Sequence, residues 1–84
     1  MPAKKDPYKG VVLGGKLTMG GGNATEAETV TGLLATDTVV ASISDNSTNN
    51  DVSLLEAKPT EDTLTLLFSE DPGANVVVSY IVYR

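Results

Sequence analysis

Residues Val76–Tyr83 read VVVSYIVY, the most strongly β-forming stretch of this 84-residue chain. Five of its eight residues are Val or Ile, whose branched side chains favour the pleated backbone. Alternation puts Val76, Val78, Tyr80 and Val82 on one face and Val77, Ser79, Ile81 and Tyr83 on the other. Both faces are apolar, and one sheet of a small sandwich covers only one of them. Thr63–Phe68, TLTLLF, has the same period, with Leu64, Leu66 and Phe68 expected inward, Thr63 and Thr65 outward, and Leu67 opposite the other leucines.

Working outward, the period of two persists and no i, i+3, i+4, i+7 stripe appears. Ten Thr and ten Val dominate the composition. Three further strands are expected at Thr25–Thr31, Thr38–Ser44 and Val52–Ala57. Between the strands lie SDNSTNND at 44–51, KPTED at 58–62 and SEDPGAN at 69–75. Asn and Asp bond to nearby backbone, Pro presets φ, and Gly supplies positive φ, so all three read as connections. The chain is expected to be all-β: a small antiparallel β-sandwich or barrel-like domain of about five to seven short strands.

The first 22 residues differ from the rest. Six of the eight glycines fall between Gly10 and Gly22, a density that no helix tolerates. Residues 1–22 therefore read as an extended, Gly-rich N-terminal arm, and 23–84 as the β domain. Val11–Leu13 and Lys16–Met19 are each expected to add a short strand when docked. Lys4, Lys5, Lys9 and Lys16 against Asp6 make residues 1–16 net +3; Lys58 and Arg84 against ten acids make 17–84 net −8. An acidic body repels phosphate, so nucleic acid is not expected as a partner. No apolar run approaches the ~20 residues of a membrane span. Met1 is followed by polar and basic residues rather than an apolar run of about 7–15, so no secretory signal is expected. The absence of Cys fits synthesis in a reducing cytoplasm.

The chemistry is sparse. Without Cys, His or Trp there is no thiol nucleophile, no imidazole base and no His/Cys zinc site. Glu61-Asp62 and Glu70-Asp71 are adjacent acids in turn sequences and read as turn residues rather than a glycosidase pair. Asp45, Asn46, Asn50 and Asp51 lack the Gly and the bidentate Glu of a calcium loop. In GGKLTMGGG, Lys16 is followed by Leu17 and no helix, so it is not a phosphate-binding loop. No enzymatic activity, metal or cofactor is expected.

A chain this small, without staples, commonly gains stability by assembly. The second apolar face of the last strand has three readings: a subunit interface, a central strand under the arm, or an Ile and a Tyr simply left exposed. On the first reading Leu67, Val77, Ile81 and Tyr83 are the interface residues, and Lys4, Lys5, Tyr8, Lys9 and Lys16 of the arm are free to bind a partner.

The sequences TVTGLLATDTVVASISDN (29–46) and LLEAKPTEDTLTLLFSEDPGANVVVSYIVYR (54–84) resemble small virion proteins of tailed bacteriophages. The shared features are a TGL-ATD-V stretch before a strand, a T-D-L-L-FS-DPG hairpin and a terminal V-Y-V-R strand, together spanning about residues 28–84. The resemblance implies a structural module without catalytic residues, commonly trimeric, that decorates or cements a capsid by binding the major capsid protein. Its place would be the virion surface after synthesis in the host cytoplasm. A tail-fibre or spike module binding host glycan is the alternative. Sugar sites favour an aromatic platform, and the chain offers only Tyr8, Phe68, Tyr80 and Tyr83.

Overall fold

The computed structural model describes residues 10–84. It contains six strands and, among the described residues, no helix: β1 (Val11–Thr18), β2 (Thr25–Thr29), β3 (Thr38–Asp45), β4 (Leu54–Thr60), β5 (Thr63–Phe68) and β6 (Val77–Tyr83). They form two antiparallel three-stranded sheets. Sheet A has the order β1-β6-β3 and sheet B the order β2-β5-β4. Apart from the β4–β5 hairpin, every connection crosses from one sheet to the other. The two most apolar strands, β5 and β6, are central.

The core lies between the sheets. Leu64, Leu66 and Phe68 from β5 meet Val78 and Val82 from β6, all essentially buried. Thr63 and Thr65 are partly exposed on the other face of β5. Connecting segments fill the ends: Met19, Val30, Leu33, Val52 and Val76 are all buried. The antiparallel sandwich and the facing of β5 and β6 agree with the sequence reading.

Five strand boundaries differ from it, those of β3 and β6 by one residue and three others for a local reason. Val30 leaves β2 early because its N–H bonds to the carbonyl of Asp62 rather than to β5. β4 begins at Leu54, since Val52 caps the core, and runs through Pro59 to Thr60. Proline is tolerated there because β4 pairs only with β5 and its other edge needs no N–H donor. The β4–β5 turn is therefore only Glu61-Asp62, with Asp62 at φ 59.

The larger difference concerns the expected arm. From Gly10 onward it belongs to the domain. β1 pairs along its length with β6, from Val11 opposite Tyr83 to Thr18 opposite Val77. Beyond it, Met19 exchanges backbone hydrogen bonds with the 75–76 segment: its N–H donates to Val76, and its carbonyl accepts from Asn75. Two of the arm's glycines serve close packing. Gly15 lies opposite Tyr80, and a Cβ there would stand 3.2 Å from the phenol oxygen. Gly21, at φ 82, lets the β1–β2 loop touch the β5–β6 loop; a Cβ there would lie 2.7 Å from the Gly73 carbonyl carbon. The expected boundary at residues 22/23 falls inside the β1–β2 connection.

Candidate functional site

The outer face of sheet A follows from the register. Tyr83 lies between Val11 and Thr38, Ile81 between Gly14 and Val40, and Ser79 between Lys16 and Ser42; Val77 is flanked by Thr18 and Asp45. Paired residues of an antiparallel ladder project to the same side. Three of the outward residues are large, apolar and well exposed: Val11 at 60%, Val40 at 57% and Ile81 at 42%. Val77 and Tyr83 are half-buried beside them. Gly14 keeps the β1 edge of this patch low. The outward charges within these strands are Lys16 and Asp45, toward the far end. Asp45 is held below the usual carboxylate range, first by the Ser47 backbone N–H at 2.9 Å and, more weakly, by Lys16.

The patch continues around the β3 edge. β3 and β4 are edge strands on the same side of the sandwich. A groove of about 270 Å³ opens between them, lined by residues 39–41 and 54–57. Leu55, the extra residue of a β-bulge, stands on it at 62% exposure. Unpaired strand edges beside apolar side chains can accept an added strand.

Of the expected interface residues, Val77, Ile81 and Tyr83 come together on this face. Leu67 does not. It pairs with Thr25 and Glu56 on the outer face of sheet B, the opposite side of the molecule, because β5 and β6 belong to different sheets. Of the expected arm residues, Lys16 sits in β1 on the outer face of sheet A. Lys4, Lys5, Tyr8 and Lys9 lie outside the described residues.

The acid pairs expected in turns are in turns. Asp62 Oδ1 accepts the Gly32 N–H at 2.8 Å, and Asp71 Oδ1 accepts those of Gly22 at 3.0 Å and Gly73 at 2.9 Å. Asn49 donates its amide to Glu70 Oε2, Asp71 O and Pro72 O, tying the β3–β4 loop to the β5–β6 loop. Among the described residues no group of three or more His, Cys, Asp or Glu could hold a metal ion. Among the described residues the aromatic side chains make no common platform: Phe68 is buried in the core, Tyr80 faces inward opposite Gly15, and Tyr83 faces outward.

Two arrangements have no clear sequence signal. Arg84 grips Asp37 with two bonds, Nε to Oδ1 at 2.8 Å and Nη2 to Oδ2 at 2.9 Å, and also donates to the Gly32 carbonyl. The Arg84 bonds, with the Leu34 N–H, hold Asp37 well below its ordinary pKa although burial opposes this. The second is the inward placement of Glu26 and Glu28, opposite the buried Leu66 and Leu64. No protein-family model matches this chain, and no curated protein or solved structure shows significant similarity to it.

Proposed function

We propose that this chain is a non-enzymatic structural protein of a tailed-phage virion, a homotrimer that decorates or cements the capsid by binding the major capsid protein. The observation that carries the assembly part of this reading is the charge-poor outer face of sheet A, where Val11, Val40 and Ile81 are exposed together. A cluster of exposed aliphatic residues in a chain of net charge −5 has the composition of an interface core, from which charge is depleted. The capsid partner comes from the resemblance of residues 28–84.

Size favours a ring over a back-to-back pair. Three strands at ~4.8 Å spacing and about seven residues at ~3.3 Å give a face of roughly 330 Å² in projection. A standard interface buries about 800 Å² per partner. A two-fold dimer would pack this one face on itself. A three-fold ring engages two different patches on each subunit. The β3/β4 groove, continuous with Val40, is the second patch.

Light scattering and capsid co-sedimentation test this together. The wild-type mass should be three times that of one chain. Val40→Asp with Ile81→Asp should yield a folded monomer whose capsid binding falls at least ~100-fold, because linked weak contacts gain that much from avidity. A monomeric wild type, or undiminished capsid binding by the double variant, rejects the proposal. Arm deletions must stop at residue 9, since removing 1–22 also removes β1 and buried Met19.

A further inference from the structure

We propose that Glu26 and Glu28 make β2 a pH-sensitive edge strand, firmly seated in mild acid and opening locally as the pH rises toward neutrality. This is independent of the capsid reading and rests on what faces the core.

β2 is the shortest strand, TEAET, and pairs with β5 alone. Its register sets Glu26 opposite Leu66 and Glu28 opposite Leu64, two fully buried leucines. Two carboxylates thus occupy inward positions where a sandwich strand ordinarily places apolar residues. They are two residues apart on one face, roughly 7 Å along the strand. Both are half-buried, and Glu26 Oε2 is buried with no hydrogen-bond partner.

No compensating charge faces them among the described residues. From β5 they meet Leu64 and Leu66. Across the core, the inward residues on the same side of the sandwich are Leu13, Gly15 and Leu17 of β1 and Tyr80 of β6. Lys16 is on the outer face of β1. In the β4–β5 turn, Asp62 holds Val30 through its backbone carbonyl and spends its carboxylate on Gly32.

An unpaired carboxylate next to a core is costly in its charged form, and a second one beside it adds repulsion. Burial, and then Glu26, push Glu28 above the ordinary glutamate value. When β2 lifts, both carboxylates regain water. The seated state therefore holds the Glu28 proton more tightly than the open state, with Glu26 acting as the adjoining negative charge. Seating is fully favoured below the ordinary glutamate pKa and weakens as pH rises through the raised value. What opens is the β5 edge, with Leu64 and Leu66 behind it.

The test is amide hydrogen exchange on the full chain between about pH 4 and pH 7, corrected for intrinsic exchange, comparing β2 with the opposite edge strand β4. Protection of β2 should fall about three- to tenfold relative to β4. Glu26→Gln with Glu28→Gln should abolish that difference and keep β2 protected at pH 7. Parallel profiles for β2 and β4 overturn the proposal, as does a β2-specific loss that persists in the double variant. Thermal melts give an independent reading. Glu28→Gln should raise the melting temperature more at pH 7 than at pH 4, and an equal change at both pH values also overturns it.

Discussion

At the residue scale, two contacts at opposite ends of the sandwich hold the loops. Arg84 clamps Asp37 and the Gly32 carbonyl, fastening the end of β6 to the β2–β3 connection. Asp37 has a lowered pKa in the folded state, so its contribution is present above the unfolded value and is lost as pH falls through the folded one. Asp37→Asn should lower the melting temperature by a few degrees at pH 7 and progressively less in acid; scanning calorimetry across pH checks this. Part of any acid loss in the wild type is offset by Glu28, whose sign is opposite. At the other end, Gly21 meets Gly73 backbone to backbone. Neither side can yield as a flexible side chain would. Gly21→Ala should cost about 1–3 kcal/mol, from positive φ and from the contact, seen as a lower urea midpoint at unchanged slope.

At the element scale, the strands differ in what attaches them. β5 and β6 each have two neighbours; β5 buries its inward face completely, and β6 buries Val78 and Val82 there with Tyr80 partly exposed. β1 and β3 lie at the edges of sheet A, and β2 and β4 at the edges of sheet B. β1 is secured by its ladder with β6 and by Met19 just beyond its end, which is 1% exposed in the core. Met19→Ala should destabilise the fold by about 2–4 kcal/mol, the usual cost of truncating a buried methionine. A mobile arm ending at residue 22 would show almost no change, so the same denaturation experiment distinguishes the two arrangements. Much of this level is legible in sequence. TLTLLF and VVVSYIVY carry their facing in their alternation, and their register follows once one face is buried. β1 is less legible because VVLGGKLT has no such alternation. Gly15 is explained only by Tyr80 lying over it, and Gly21, in the loop that follows, by its contact with Gly73.

At the scale of the whole molecule, the two lateral sides of the sandwich differ. One, between β3 and β4, is a groove lined by aliphatic residues and Glu56 and continuous with the outer face of sheet A. The other, between β1 and β2, carries the inward carboxylates of Glu26 and Glu28. The chain is thus asymmetric. One side suits association through apolar contact and unpaired strand edges. The other answers to protonation. If association uses the first side, the trimer mass should be nearly unchanged by Glu26→Gln with Glu28→Gln, and light scattering of that variant checks it. Concentration-dependent melting is expected for the wild type and should vanish in the Val40→Asp, Ile81→Asp monomer.

Local preferences along the chain are enough to make it all-β, to face Leu64, Leu66 and Phe68 of β5 toward the core, and to bend it at the acid pairs. These are local properties: alternation, branching at Cβ and turn chemistry act within a few residues. Long-range packing set β5 and β6 in different sheets, which sends Leu67 to one outer surface and Ile81 to the other. It also decided that Asp37 meets Arg84 across 47 positions, and that Glu26 and Glu28 turn inward. Those outcomes depend on which strands pair and on how sheets stack. Pairing and stacking are set by the joint burial of many apolar side chains rather than by any one segment's preference.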